Sequence, residues 1–131
     1  MKRWIAIAIG LLAIPIALYA GSNTVMIIGG DVSPTIQVTL TDAARTLDNV
    51  VVTAGGVVKK NGVYPVGAYI TASAQIARFA MGGTTPTVDN VGHTIAIGES
   101  VRILGGSAVG SLKFVNGSAE DESILHITLE Y

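Results

Sequence analysis

Short apolar segments that alternate with polar positions and end at turn-forming residues run through most of this chain. Residues 35–40 (TIQVTL) are the clearest example, because Ile36, Val38 and Leu40 fall on one face at a period of two. Similar segments are residues 25–28, 50–53, 57–60, 68–72, 76–81, 93–97, 100–104, 109–115 and 123–130. No amphipathic segment of helix length separates them, which argues against parallel α/β order. The pattern predicts an all-β fold of roughly eight to ten strands, an antiparallel β-sandwich with a jelly roll as the expected topology and a small barrel as the competitor.

Turn residues between the segments predict where the chain reverses. Asn61-Gly62 and Asn116-Gly117 favour the positive φ angles of tight hairpins. Pro65 has no amide hydrogen to donate, so it is expected to stop strand pairing or to lie on an edge. A single helical turn is expected directly after residue 40, capped by Thr41 or Asp42.

The first 22 residues differ in composition from the rest of the chain. Lys2 and Arg3 precede residues 4–20 (WIAIAIGLLAIPIALYA), a run of 17 residues without a charge. Its length is at the short end of the about 17 to 25 residues that span a bilayer. We therefore divide the chain into a hydrophobic, anchor-like or signal-like helical segment, residues 1–22, and a β-sandwich domain, residues 23–131.

Three interpretations of the hydrophobic run stay open. If it is retained, the run from Trp4 to Ala20 is a membrane anchor or a membrane-facing helix, which Pro15 would kink. If it is removed, it is a secretory signal in which Ala20 and Ser22 precede the cut. The third interpretation is a hydrophobic helix buried among protein subunits.

Composition and charge exclude several classes of protein. Half of the 131 residues are hydrophobic, 13% are charged and the formal net charge is -1, which fits a β-rich body partly covered by neighbours and not a disordered chain. The eight Lys and Arg residues are scattered and the aromatic residues are dispersed, so no nucleic-acid partner is expected. Because there is no cysteine, disulfides, thiol catalysis and Cys-ligated zinc are excluded.

The chemistry of an enzyme would have to begin with the two histidines. His93 follows a glycine at the start of a predicted strand, and His126 lies between Leu125 and Ile127, so that it faces solvent or a neighbouring subunit. Neither histidine has the spacing of a metal site, and no nucleophile elbow, phosphate loop or dinucleotide fingerprint is present. We therefore predict no catalytic, cofactor-binding or metal-binding residues, no cofactor, and a protein that is not an enzyme.

Several charged and polar motifs have structural interpretations that outweigh functional ones. The acidic run Glu120-Asp121-Glu122 suits a divalent cation or a basic partner, but a solvated loop before the final strand is favoured. Asn116-Gly117-Ser118 matches a glycosylation sequon, but the turn interpretation is favoured. Lys59-Lys60, Arg78 and Arg102 are predicted to be charges on strands that prevent aggregation between sheet edges.

A set of short motifs in the C-terminal half resembles a group of small structural proteins of tailed-phage virions. The motifs are Tyr69-Ile70-Thr71-Ala72, Ile76-Ala77-Arg78-Phe79, Gly83-Thr84-Thr85-Pro86-Thr87, Gly92-His93, Gly98-Glu99-Ser100, Leu112-Lys113-Phe114 and Leu125-His126-Ile127-Thr128. The resemblance implies a β-sandwich or jelly-roll protein that decorates or cements the capsid and has no enzymatic residues. The hydrophobic residues 4–20 depart from that group, and they point to a virion that contains a membrane.

The expected function is therefore that of a structural virion protein that decorates the capsid, cements it or forms its vertices. Its expected partners are the major capsid protein or another virion protein and further copies of itself, with membrane contact through residues 4–20. The expected location is the virion, in association with its membrane. Two alternatives stay open: a secreted or membrane-anchored bacterial β-domain for adhesion or ligand binding at the cell surface, and a small hydrolase with a Ser/His/Asp cluster around His93 or His126.

Overall fold

The computed structural model of the protein describes residues 31–131. The predicted hydrophobic segment at residues 4–20 and the predicted strand at residues 25–28 lie outside the described residues. Within residues 31–131, no helix is long and apolar enough to cross a membrane.

Within residues 31–131, eight strands form two antiparallel four-stranded sheets. The strands are β1 (Ile36–Thr39), β2 (Arg45–Thr46), β3 (Gly67–Ala74), β4 (Ala77–Ala80), β5 (His93–Ile95), β6 (Ser100–Leu104), β7 (Lys113–Asn116) and β8 (Ile124–Glu130). Sheet A has the order β1-β8-β3-β6, and sheet B has the order β2-β7-β4-β5. Two short helices, α1 (Leu47–Thr53) and α2 (Gly106–Gly110), complete the described fold. The prediction of a mostly β, antiparallel protein is confirmed.

Alternate residues of both sheets build one hydrophobic core. In sheet A, Ile70 of β3 lies opposite Ile127 of β8, and Val38 of β1 lies opposite Leu125 of β8; all four side chains are buried. Sheet B contributes Phe114 and other buried side chains to the same cluster. Burial of each such side chain stabilises the fold by about 1.5–3 kcal/mol relative to leaving it exposed. The period of two in the sequence therefore corresponds to side chains that point alternately to the core and to the outer face of sheet A.

The segment after β2 is a helix and not the strand predicted for residues 50–53. Leu47, Val50 and Val51 are buried at the i, i+3, i+4 spacing of one helix face. Thr46 caps α1, since its hydroxyl oxygen accepts a hydrogen bond from the Asn49 amide at 3.3 Å. The helical turn predicted at residues 41–45 is also wrong, because the chain becomes helical only after this cap.

The two Asn-Gly pairs behave differently. At Asn61-Gly62 the prediction is confirmed: φ is 52° and 79°, and Lys60 and Val63 exchange both backbone hydrogen bonds across the turn. This bridge is the only pairing in the described part of the chain that involves residues 57–60, so the strand predicted there is wrong. The hairpin predicted at Asn116-Gly117 is wrong too, because β7 and β8, which it connects, belong to different sheets.

The segment predicted as one strand at residues 109–115 is divided between two elements. Its first residues belong to α2, which ends at Gly110, and Lys113 then begins β7. Val109 and Leu112 are fully buried on either side of this junction. The apolar run therefore indicates that these residues are buried, and it does not indicate one continuous strand. Over so few residues, periodicity alone does not distinguish a buried strand from a buried helix.

Candidate functional site

The two histidines lie on different sheets. His126 is on β8 of sheet A, with Nε2 3.0 Å from the Ser73 hydroxyl oxygen. His93 is on β5 of sheet B, exposed, with its ring centroid 5.3 Å from that of Phe79. The structure therefore does not bring the two histidines into one cluster. Ser73 and His126 have the separation of a nucleophile and a base, but within residues 31–131 no carboxylate hydrogen-bonds to His126, as a triad would require.

The acidic run lies in an exposed loop before β8. Asp121 accepts a hydrogen bond from Gln75 Nε2 at 3.2 Å. The loop borders a shallow depression of about 150 Å³ that Thr41, Asp42 and Asn116 also line. Among the described residues, no group of three or more His, Cys, Asp or Glu side chains is arranged to hold a metal ion.

The basic residues predicted to protect sheet edges have different roles. Arg102 does lie on an edge strand, β6, where it forms an ion pair with Glu130 at 2.8 Å. Arg78 lies on β4, an inner strand of sheet B, so the prediction is wrong for this residue. Its guanidinium donates to the carbonyl oxygens of Val88 and Asp89 at 3.0 and 3.1 Å, which ties the loop between β4 and β5 to the sheet.

The two lysines predicted to lie on a strand belong to the segment that leads into the Asn61-Gly62 turn. Lys60 forms an ion pair with Asp31, and its ammonium lies 5.6 Å from the centroid of the Tyr131 ring. Lys59 lies 4.5 Å from the centroid of the Tyr64 ring. Both lysines therefore contact aromatic rings, and the prediction that they lie on a strand is wrong.

The outer face of sheet A is a nearly uncharged surface rich in hydroxyl groups. One row across the strands contains Gln37, His126, Thr71 and Ser100, and the next contains Thr128, Tyr69 and Arg102. Thr35 and Ser73 adjoin these rows through side-chain hydrogen bonds. We call these nine residues the hydroxyl face. Its only charged residue, Arg102, is paired with Glu130 in the neighbouring row.

Six side chains of the hydroxyl face pair with one another: Thr35 with Thr128, Thr71 with Ser100, and Ser73 with His126. The hydroxyl oxygens of Thr35 and Thr128 are 2.8 Å apart, and those of Thr71 and Ser100 are 2.7 Å apart. A polar group that already has a protein partner loses less on leaving water than one that would be left unpaired. The hydroxyl face can therefore be covered by another protein at a smaller desolvation cost than a surface of free polar groups.

Exposed apolar side chains border the hydroxyl face at the end of β6. Val66 and Leu104 have exposed fractions of 56% and 62%. Leu104 lies opposite Gly67 in the β3–β6 ladder, and Val66 accepts a hydrogen bond from the next residue beyond β6. Together with the hydroxyl face they give the mixture of apolar and neutral polar groups with few charges that characterises the centre of protein interfaces.

A groove of about 740 Å³ runs beside β1, on the opposite margin of sheet A. One wall is residues 31–37, and the other is formed by residues 54–57, Lys59, Lys60 and Tyr131. Val57, in this wall, is 67% exposed. The Tyr131 hydroxyl hydrogen-bonds to the carbonyl oxygens of Val57 and Val58, both at 3.2 Å, and burial raises the pKa of this phenol. The groove thus has a largely apolar lining beside an open backbone edge.

Tyr64 joins helix α1 to the segment before β3. Its hydroxyl donates to the Asp48 carboxylate at 2.5 Å. This hydrogen bond, with a smaller contribution from burial, raises the pKa of the Tyr64 phenol, because the bond favours the protonated form. The contact therefore fixes α1 against the following segment at any pH at which the phenol is protonated.

No family model, no curated protein and no solved structure matches the chain.

The sequence signal that leads to the hydroxyl face is the period-two series Tyr69, Thr71, Ser73 on one strand and His126, Thr128 on another. Sequence alone does not show that these series are neighbours, because that depends on the register between β3 and β8.

Proposed function

We propose that this chain is a non-enzymatic structural protein of a phage virion that decorates the capsid, cements it or forms its vertices. The hydroxyl face carries the proposal, because six of its polar side chains are paired with one another and its one charged residue has a partner. Surfaces of this kind suit protein contacts. The partner would be the major capsid protein or another virion protein, with residues 4–20 directed to a membrane.

The strand pairing supports a β-sandwich with jelly-roll topology. β1 pairs with β8, β2 with β7, β3 with β6 and β4 with β5, so the strand numbers in each of these pairs add to nine. A long antiparallel hairpin that folds over on itself produces this series, with alternate pairs in opposite sheets. Jelly rolls occur in viral capsids and also in lectins, so this topology agrees with the proposal without excluding a ligand-binding role.

A second candidate function is a secreted or membrane-anchored bacterial β-domain for adhesion or ligand binding. The groove beside β1 favours it, because a volume of about 740 Å³ lies in the range of ordinary ligand sites. Under this alternative, residues 4–20 are a signal or an anchor, and the protein is recovered from the cell surface or medium and not from particles.

Particle association tests the proposal with two matched threonine variants. Thr71→Glu places an unpaired carboxylate in the hydroxyl face and removes the hydrogen bond to Ser100, whereas Thr94→Glu places the same group on the exposed surface of β5 in sheet B. If the hydroxyl face binds the shell, burial of the new charge costs more than about 1.4 kcal/mol, which is tenfold in affinity.

We expect Thr71→Glu to reduce the amount of protein on purified particles at least tenfold and Thr94→Glu to leave it within twofold. Circular dichroism checks that both variants keep the parent β-sheet spectrum. Equal occupancy of the two variants would exclude the hydroxyl face as the contact. Recovery of the wild type from the cell envelope and never from particles would reject the virion role, and mass spectrometry of the mature amino terminus would then separate a signal from an anchor.

A further inference from the structure

We infer that β1 is the contact between two copies of this chain, and that the two β1 strands pair antiparallel about a two-fold axis to join their A sheets. The inference deepens the proposed function by naming the surface through which copies associate. It uses the backbone edge of sheet A, and one residue of this edge, Gln37, also belongs to the hydroxyl face that would bind the shell.

The backbone of β1 has hydrogen-bonding groups that point away from sheet A. The Leu40 amide donates to the Ser123 carbonyl oxygen at 2.9 Å, which continues the β1–β8 ladder beyond Val38. Backbone groups of successive residues alternate in direction, so Val38 faces β8 while Gln37 and Thr39 face outward. No backbone partner for the outward groups of Gln37 and Thr39 occurs within residues 31–131, and the groove provides open space beside Gln37.

The other three edge strands of the described fold have features within the strand that discourage pairing, and β1 has none within its four residues, although Lys59 and Lys60 line the groove beside it. β6 carries Arg102, β5 is three residues long, and β2 is two residues long and is followed at once by α1. β1 is four residues long, with the sequence IQVT, and contains neither a charged residue nor a proline. Short length and edge charges are the means by which proteins block association between sheets, so their absence singles out β1.

The sequence of β1 is complementary to itself. With the two-fold axis at Val38, the outward-facing Gln37 of each copy lies opposite Thr39 of the other, and each pair exchanges two backbone hydrogen bonds. The facing side chains of the two strands are neutral. The charged residues beside this edge are Lys59, Lys60 and Asp31 of the groove lining, of which Lys60 and Asp31 are paired with each other. Val57, which is 67% exposed in the groove wall beside this edge, is an apolar side chain that the second copy can cover. A two-fold contact uses the same surface in both copies, as this register requires.

Cysteine cross-linking tests the register, since the chain contains no cysteine of its own. Gln37→Cys and Thr39→Cys are made separately in the full chain, one with an affinity tag, purified in mild detergent, mixed and oxidised. Residues directly opposite have Cβ atoms about 4.5–5.5 Å apart, whereas diagonal neighbours are about 7–8 Å apart. We expect the mixture to give at least fivefold more disulfide-linked dimer than either variant alone.

The matched control is a mixture of Ser100→Cys and Leu104→Cys, two exposed positions on the opposite edge strand of the same sheet. This mixture should give no more dimer than background. Equal cross-linking at the two edges, or none at β1, would overturn the inference. Absence of cross-linking at β1, with the wild type recovered on particles, would reject this inference alone. A wild type that is never recovered on particles would reject the proposed function, whatever the cross-linking shows.

Discussion

Replacement of Asn116 by Ala is expected to be among the most destabilising polar substitutions in the described domain. Asn116 ends β7 with 3% exposure, at the point where the chain leaves sheet B for sheet A. Its side-chain oxygen accepts from the Ser123 amide at 3.0 Å, and its side-chain nitrogen donates to the Asp42 carboxylate at 2.9 Å. One amide side chain therefore holds both ends of the crossing between β7 and β8.

The loss of stability in Asn116→Ala is the sum of the costs of its two lost hydrogen bonds. Ser123 is completely buried, so its amide would have no partner in the variant, and such a group costs about 1–3 kcal/mol. Asp42 is exposed and can turn to water, so the second bond contributes less than about 1 kcal/mol. The sum is about 1–4 kcal/mol. At about 4 °C or more for each kcal/mol, the melting temperature should fall by roughly 4 °C or more.

Urea and thermal unfolding followed by circular dichroism measure this loss, with two companion variants. Asp42→Ala removes only the exposed partner and should cost less than about 1 kcal/mol. Asn116→Asp keeps an oxygen for the Ser123 amide but sets a second carboxylate against Asp42, so its stability should recover when the pH is lowered enough to protonate one of the two. If Asn116→Ala unfolds at the same urea concentration as Asp42→Ala, Asn116 does not hold the crossing as argued.

Two further predictions concern Gly117 and Tyr64. Gly117→Ala should destabilise the fold by about 1–3 kcal/mol in the same urea assay, because a Cβ at this position would lie 2.5 Å from the Ile76 carbonyl oxygen. Gly62→Ala is the comparison variant, because its Cβ would meet nothing within 4 Å and its cost comes from the positive φ alone. For Tyr64, the folded pKa is raised above the unfolded value near 10, so its stabilisation is fully present below pH 10 and is lost as the pH rises through the folded pKa. Wild type should therefore lose more stability than Tyr64→Phe between pH 9 and pH 11, and an equal loss in both would show that the bond to Asp48 does not contribute.

The sequence predicts most strands of this fold because alternation is a direct consequence of one buried face. Residues 35–40 illustrate this, since Val38 and Leu40 are buried and their neighbours are not. Helix α1 is missed because residues 50–53 are β-branched, while the burial of Leu47, Val50 and Val51 depends on tertiary packing. The prediction for Asn116-Gly117 is wrong for a related reason. Asn116 hydrogen-bonds to the Ser123 amide, and Gly117 lets the chain pass close to Ile76, and neither contact can be recognised from the neighbouring residues in the sequence.

The candidate site is less predictable than the fold. A flat surface made of three or four strands has no local motif, and its existence depends on register. Thr71 and His126 are 55 positions apart in the sequence but occupy one row across sheet A. The prediction of a charge on an edge strand agrees with the position of Arg102 and fails for Arg78, because a strand's position at the centre or edge of a sheet follows from long-range pairing.

The place of β8 between β1 and β3 has a consequence for the order of events during synthesis. Neither β1 nor β3 can pair with β8 until residues 124–130 have been made. Ile36 of β1 precedes its partner Ile127 of β8 by 91 positions. At a translation rate of about 5 to 20 residues per second, β1 waits on the order of 10 s for this partner. During that interval its uncharged edge is free to meet another nascent chain. Copies made on the same messenger RNA would then be able to associate through β1 before either has completed its own sheet, and the yield of folded protein would fall as the density of ribosomes rises.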